Sequence, residues 1–501
     1  MPNQVILIMT DTQRRDMLGI YGNPGMKTPN LDRLASQGLR FQHAYTCQPV
    51  CGPARAALFT GQWPHTNGGW GNNLPMGFNV RTLGQRLTEK NIRAAYIGKW
   101  HLDGSDYFGR GVCPDGWDPA HWYDMRNYLE ELSPEDRLRS RKTETNRENI
   151  APDFTFAHRC SDRAIQFLQS HKDRDFLLVV SYDEPHGPCL CPPPYTDMYK
   201  DYEFPKSPNI YDTLESKPGQ QRAWAGGRLN ADEAARRALK IADPDFFGCN
   251  SFVDSEIGRV VNAIDAHARD ALVIYTSDHG AALESHRLND KGAAMYEEIT
   301  NIPLIVRWPG HVNPSTVCSQ LASHIDITPT ILDYFKLEIP KVLEGESMLA
   351  LLRNPGTPLH QTIFIEFGRY EVDHDAFGGF QPIRAAVSCV DDGHYKLVLN
   401  LLSTDEFYDL AADRYEMTNL IDSPAHAGVR DKIHDAILNW MNDTRDPFRG
   451  YYWERRPWRR DARPATYAYT RYRREKFPEA GGKMPLDYNT GLEVKEMNVL
   501  T

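Results

Sequence analysis

Val5-Ile6-Leu7-Ile8-Met9, followed at once by Thr10-Asp11-Thr12, is an unbroken apolar run that turns polar at its C-terminal edge. Five apolar residues without alternation suit a strand buried on both faces, the kind found in parallel sheets covered by helices on each side. Further along, Thr28-Pro29-Asn30-Leu31-Asp32-Arg33-Leu34 with Gly38 beyond it reads as a helix, with Thr at the N-cap, Pro at N1 and Gly past the end. Arg81 to Lys90 predicts another helix and Ala94 to Ile97 a strand. A helix from Ala157 to Ser170 precedes a strand from Phe176 to Ser181. A helix from Phe252 to Ala266 precedes a strand from Ala271 to Tyr275, and Ile302 to Val306 gives one more short strand. This alternation predicts an α/β sheet with helices on both faces. Ligands of such sheets sit beyond the carboxyl ends of the strands, where Asp11 and Asp278 fall.

After about residue 345 the pattern changes. Strands at Thr362–Phe367, Ile383–Val390 and Tyr395–Leu401 precede a helix near Val429 to Met441, which predicts a smaller α+β domain with an antiparallel sheet. The expected division is therefore residues 1–345 and 346–501. The stretch Trp453-Glu454-Arg455-Arg456-Pro457-Trp458-Arg459-Arg460 opens a tail rich in Arg and aromatics. It is expected to pack over the body, with an anion-binding arm as the alternative.

With 57 basic and 67 acidic residues, the net charge of -10 gives no general attraction for nucleic acid or anionic membrane, so neither is an expected partner. The run Val5–Met9 is far too short to span a bilayer and lacks the basic flank of a secretory signal, so a cytoplasmic location is expected. Nine cysteines in 501 residues are too few for a disulfide scaffold. Cys189 and Cys191 read as loop cysteines, since no second Cys/His pair stands at zinc-site spacing.

The segment Cys51-Gly52-Pro53-Ala54-Arg55-Ala56-Ala57-Leu58-Phe59-Thr60-Gly61 places a cysteine at the start of a helix. There the free N–H groups and the dipole favour an anion, and Arg55 lies one turn on. The setting predicts a reactive thiol. A phosphatase-type thiolate cradle would place Arg six positions after Cys across glycine-rich backbone; here the interval is four, with Pro53 inside it.

The segment resembles the sulfatase signature Cys-x-Pro-x-Arg followed by Leu-x-Thr-Gly, and other blocks resemble that family in its order. These are Thr10-Asp11-Thr12 with Asp16 to Gly22, Gly98-Lys99-Trp100-His101, Pro185-His186-Gly187-Pro188, Thr276-Ser277-Asp278-His279-Gly280, and Lys291-Gly292 with Tyr296-Glu297-Glu298. The chain is thus identified as a member of the type I, formylglycine-dependent sulfatases, and is similar to the bacterial ones. The resemblance implies an alkaline-phosphatase-like α/β domain with a mixed, mostly parallel sheet and a smaller C-terminal α+β domain. It implies hydrolysis of an aryl or carbohydrate sulfate monoester, with Cys51 converted to formylglycine by a formylglycine-generating or sulfatase-maturing enzyme.

The implied metal ligands are Asp11, Asp278, His279 and the oxygen of modified Cys51. The family commonly has two consecutive Asp on its first strand, and here Thr12 occupies the second position. With one carboxylate fewer, calcium still ranks first, and manganese, magnesium and zinc stay open. The hydrated aldehyde offers one hydroxyl to attack sulfur and another whose deprotonation expels sulfate. By resemblance His101 is the base for that elimination, Arg55 and Lys99 hold the diol, and Lys291 and His186 contact the sulfate, one of them protonating the leaving oxygen. Arg369 and His374, in the stretch Gly368–Asp375, are candidate leaving-group contacts, with an exposed hairpin as the alternative. For Thr12, His65, Asn73, His324 and Asp326 a purely structural reading is at least as good as a functional one. Two rivals stay open: a phosphonate monoester or phosphodiester hydrolase of the same superfamily, toward which Thr12 leans and from which Lys99 and His101 lean away, and a non-catalytic sulfoglycan-binding protein. A small sulfated substrate is expected, and the oligomeric state cannot be read.

Overall fold

Strand β1 (Gln4–Thr10) is buried along its whole length and runs between two parallel neighbours, as its unbroken apolar run predicts. The structure is a computed structural model that describes residues 2–104, 107–371, 379–460, 462 and 491–492. Besides β1, the main sheet contains β2 (Leu39–Tyr45), β3 (Arg93–Gly98), β4 (Phe176–Ser181), β5 (Leu272–Ser277), β6 (Leu304–Arg307) and β7 (Thr316–Ser323), in the order β3-β4-β1-β5-β6-β2-β7. Strands β3, β4, β1 and β5 are parallel, β6 is antiparallel to both its neighbours, and β2 is parallel to β7.

The alternation of side chains along β1 divides the core. Val5, Leu7 and Met9 pack on one face with Leu58 and Phe59 of helix α2 (Cys51–Thr60). Ile6 and Ile8 pack on the other with Leu31 and Leu34 of helix α1 (Pro29–Ser36) and with the helices Phe156–His171 and Pro244–His267. Two covered faces explain why the strand carries no polar residue between Gln4 and Thr10.

Several sequence expectations are corrected in detail. Thr28 precedes α1 but does not cap it; its hydroxyl accepts from the Gly19 N–H at 2.8 Å. The free N–H groups of α1 go instead to the Asp254 carboxylate, which takes those of Asn30 at 3.1 Å and Leu31 at 2.8 Å. Gly38 is needed for close approach, since a Cβ there would lie 2.2 Å from the Val306 carbonyl oxygen of β6. The helix expected over 81–90 is Leu83–Thr88, opened by a Thr82/Gln85 capping box, and the one expected from Phe252 begins at Pro244. Strands β2 and β7 escaped notice because their apolar positions are interrupted by exposed polar ones, Gln42 in β2 and Ser319 in β7.

A second sheet is fully antiparallel, in the order β11-β10-β9-β8, built from β8 (Thr362–Phe367), β9 (Ile383–Ser388), β10 (Tyr395–Asn400) and β11 (Glu406–Asp409). The helix Ala427–Asp443 lays Ile433, Ile437 and Met441 against Leu397, Leu399 and Phe407 of this sheet. The described start of the tail packs on the same unit. Trp453 is buried, Arg456 pairs with Asp405, and Trp458 stands edge-on to His434. Among the described residues no helix is long and apolar enough to cross a membrane.

Candidate active site

The four parallel strands end side by side, and each delivers a polar group at its carboxyl edge. Asp11 follows β1, Asp278 follows β5, Lys99 follows β3, and Ser181 is the last residue of β4. The register pairs Thr10 with Ser277 and Gly98 with Ser181, so these groups meet without any long loop. Gly98 has φ 124°, and a Cβ there would lie 1.9 Å from the Ser181 carbonyl oxygen, the same oxygen that accepts the Lys99 N–H at 2.7 Å. The glycine permits that crossing.

Cys51 is the first residue of α2, with its side chain buried against these strand ends. Its Sγ points at Asp11 and His279. It lies 3.1 Å from His279 Nε2 and 3.6 Å from Asp11 Oδ1. Asp11, Cys51, Asp278 and His279 each present one ligand atom within 4.8 Å of the others. The Nδ1 of His279 lies 2.9 Å from the Gly280 carbonyl oxygen, an acceptor only. Nδ1 therefore carries the hydrogen and Nε2 offers its lone pair to the cluster, the orientation of a metal-ligating histidine. Burial, first, holds His279 well below its usual pKa and so neutral. Two carboxylates, a neutral imidazole and an oxygen in place of Sγ form a donor set suited to a divalent cation.

Charge is distributed unevenly over the two carboxylates. Burial pushes Asp11 up, but Lys99, His186 and Arg55 outweigh it and hold Asp11 well below the ordinary range. Asp278 is pushed up to about 7 by burial and by Asp11, against the pull of Arg55. Arg55, fully buried, donates to Asp278 Oδ2 at 3.0 Å, Asp11 Oδ2 at 3.2 Å, Lys99 O at 2.8 Å and Ser181 Oγ at 2.7 Å. Four of its five N–H groups are thus engaged, and it fixes the carboxylates from behind. Lys99 Nζ lies 2.7 Å from Asp11 Oδ2 and 2.9 Å from Asp183 Oδ1.

Burial, with Asp11 adding to it, pushes the Cys51 thiol up to about 12 despite Lys291 and Lys99, the direction opposite to the one a helix start suggests. The positive helix end is offset by the carboxylate it faces.

Lys291 is buried, and the neighbouring Cys51, Tyr370, Asp290 and Asp11 outweigh that burial to keep it charged. It donates to Thr12 Oγ1 at 3.3 Å. Thr12 sits in left-handed backbone, φ 59°, with its N–H on Asp278 Oδ1 and its hydroxyl on Asp11 Oδ1. The residue at the second-Asp position is therefore a buttress for both carboxylates. His101, also at positive φ, is buried and held well below its usual pKa by burial and by Lys99, with no described partner for Nδ1. His186 is lowered to about 4 by burial, Lys291 and Lys99.

The structure thus brings together Asp11, Cys51, Arg55, Lys99, His101, His186, Asp278, His279 and Lys291. Arg369 is half-buried on the segment after β8; His374 lies outside the described residues. Neighbours of Arg369 enter the site, since the Tyr370 carbonyl accepts from Asn72 N at 2.8 Å while Asn72 Oδ1 accepts from Gly52 N at 2.9 Å. Asp183, Tyr107, Ser181, Asn72 and Tyr370 were missed. Only Asp183 had an available signal, as a carboxylate just past a buried strand. His324 and Asp326 are structural here, the first on the Ser277 carbonyl and the second on Ser323 N and His360.

Residues 3–337 match the family model described as Sulfatase, and residues 284–443 match one described as N-sulphoglucosamine sulphohydrolase, C-terminal. The chain is 44% identical over 505 residues to the uncharacterized sulfatase YidJ of Escherichia coli (strain K12), covering 99% of this chain and 97% of that one. Among solved structures it is similar to BT4656 in complex with its substrate D-glucosamine-2-N,6-O-disulfate, with a TM-score of 0.72, 21% identity and coverage of 89% and 99%. It is also similar to the phosphonate monoester hydrolase of Agrobacterium radiobacter, with a TM-score of 0.70, 22% identity and coverage of 89% and 96%. At these identities the two structures speak for the alkaline-phosphatase-like fold alone.

Proposed function

We propose, for a chain that belongs to the sulfatase family and is a sulfuric ester hydrolase, that it cleaves a small carbohydrate or aryl sulfate monoester using a formylglycine made from Cys51. The observation that carries the reading is the convergence of Asp11, Asp278, His279 and Cys51 within 4.8 Å, ringed by Arg55, Lys99 and Lys291.

A divalent cation, when bound by Asp11, Asp278, His279 and the oxygen at position 51, supplies Lewis-acid polarisation of the sulfate and acidifies the nucleophile. Calcium ranks first among the candidates. The formyl group, installed by a sulfatase-maturing enzyme, supplies a nucleophile that can release sulfate by elimination. Arg55 and Thr12 hold the two carboxylates in place. Lys291, charged and buried, counters the charge of the sulfate. His101, kept neutral by burial, is free to take the proton whose removal drives elimination. His186 is neutral at rest and can protonate the leaving oxygen only after taking up a proton. A carbohydrate leaving group is favoured because the C-terminal family match is described by a sulfated glucosamine.

The rival reading, a phosphonate monoester hydrolase, rests on Thr12 in place of a second acidic residue; Lys99 and His101 weigh against it. The test has two parts. Intact mass after co-expression with a maturing enzyme should fall by about 18 Da at Cys51. Initial rates should then favour 4-nitrophenyl sulfate over 4-nitrophenyl phenylphosphonate; faster phosphonate turnover overturns the ranking. A panel of sulfated monosaccharides reads the leaving group, and no sulfate release from any of them, with aryl sulfate cleaved, removes the carbohydrate assignment.

A further inference from the structure

Tyr107 lies on the loop after β3 and is absent from every block that carried the resemblance. Its hydroxyl oxygen lies 2.6 Å from Asp183 Oδ1, 2.8 Å from Lys99 Nζ and 3.1 Å from His186 Nδ1. Its ring stands edge-on to His101, with centroids 4.9 Å apart, and the Lys99 ammonium sits 4.1 Å from the ring centre. One phenol therefore touches Lys99, His101 and His186.

The hydrogen-bond inventory assigns the protons. A phenol has one hydrogen and two lone pairs. Asp183 is ionised, because the Lys99 ammonium 2.9 Å away outweighs the burial that would raise it, and a carboxylate only accepts. The phenol hydrogen therefore goes to Asp183. The Lys99 ammonium only donates and takes one lone pair. The remaining lone pair faces His186 Nδ1, which also lies 3.0 Å from the Gly187 carbonyl oxygen, another acceptor. Both neighbours require the hydrogen of His186 to sit on Nδ1, leaving Nε2 as the nitrogen able to receive and pass on a proton.

We propose that Tyr107 is a positioning residue for departure of the leaving group, acting through His186: its hydroxyl, oriented by Asp183, fixes the histidine hydrogen on Nδ1 and ties the ring to Lys99. The proposal rests on the sulfate-ester reading of the site. Nε2 takes a proton from water as the ester anion binds. As the oxygen at position 51 bonds to sulfur, the S–O bond to the leaving group breaks; its electron pair goes to the leaving oxygen, which takes that proton. The histidine returns to neutral with Nδ1–H still on Tyr107.

Tyr107→Phe keeps the ring and its contacts and removes only the hydroxyl. In the matured enzyme, kcat should fall on the order of 10- to 100-fold for phenyl sulfate, whose poor leaving group needs the proton, with KM nearly constant. For 4-nitrophenyl sulfate, whose leaving group departs unaided, the loss should stay within about threefold. His186→Gln should give the same contrast, and the double variant should lose little beyond either single one. Equal losses on the two esters, unchanged kinetics, or additive losses in the double variant would overturn the role through His186. A thermal melt of Y107F at the wild-type midpoint separates positioning from loss of fold; a large drop, with H186Q showing no leaving-group contrast, also overturns it. Wild-type enzyme that releases no sulfate from either ester sinks the reading beneath the proposal and is distinct from all of these results.

Discussion

Two buried clusters in this molecule contain the same kinds of side chain and have opposite architectures. At the ends of β1 and β5, Asp11, Asp278 and His279 converge with Cys51, while Arg55 and Lys99 hold the carboxylates from behind. At the junction of the two sheets, His65, Glu366 and Asp446 come as close together, but Arg384 stands among them. There Glu366 takes the ring Nδ1–H and the backbone N–H of His65, and Asp446 takes the guanidinium of Arg384 and the Phe448 N–H. The acids of the junction are matched by protein donors within the cluster. Those of the strand ends share their cations and still point oxygens and a lone pair at a common centre. Buried acid and histidine are thus no mark of a metal or a reaction; the discriminating feature is whether a protein cation already occupies the focus.

The comparison is broken most directly at the strand ends. Asp278→Ala should abolish stoichiometric metal, read by elemental analysis, and lower sulfate release by more than about 100-fold, the upper end for losing a group that merely orients a ligand. Retention of full metal content would mean that the focus lies elsewhere. Next in size, Arg384→Ala should destabilise the protein by about 3–5 kcal/mol, because it leaves Asp446 buried and uncompensated. Denaturant unfolding measures this, and metal content should not change. A wild-type midpoint would show that the junction charges do not behave as a closed pair.

The smallest effect concerns pH. Burial lowers the pKa of His65, but Glu366 overrides it and leaves the group raised above its ordinary value. A raised folded value means that the stabilisation is complete below the unfolded value near 6.5 and disappears as pH rises through the folded value. The stability lost on the alkaline side should vanish in His65→Gln. Unfolding midpoints at pH 6 and pH 9 report it, and equal slopes in the two proteins would remove His65 as its source.

What could be read from the sequence follows from how local each signal is. The unbroken run Val5–Met9 and the strand before Asp278 were legible because both faces are covered, so no polar residue interrupts them. Cys51 and Arg55 stand four residues apart on one helix, which makes their shared direction a local property. The pairing of Lys99 with Asp183 joins the ends of two strands and that of Arg55 with Ser181 joins a helix to a strand, and no spacing encodes either. Tyr107 was invisible for the same reason, since its meaning comes from three partners that only the turn after β3 assembles. The upward shift of the Cys51 thiol also had to await the structure: a helix start suggested a lowered pKa, and the carboxylate opposite could be weighed only once β1 was placed against α2.

The burial of Cys51 carries a temporal consequence. Its side chain is 1% exposed, beneath strand ends that are among the most deeply packed parts of the chain. If Cys51 is the formylglycine precursor proposed above, the catalyst that modifies it has to reach the thiol before α2 docks onto β1 and β5, and folding and maturation then compete for the same polypeptide. The active fraction of a preparation is then a record of which process ran first. Slower folding, at lower temperature or lower expression rate, should raise that fraction with no change in sequence.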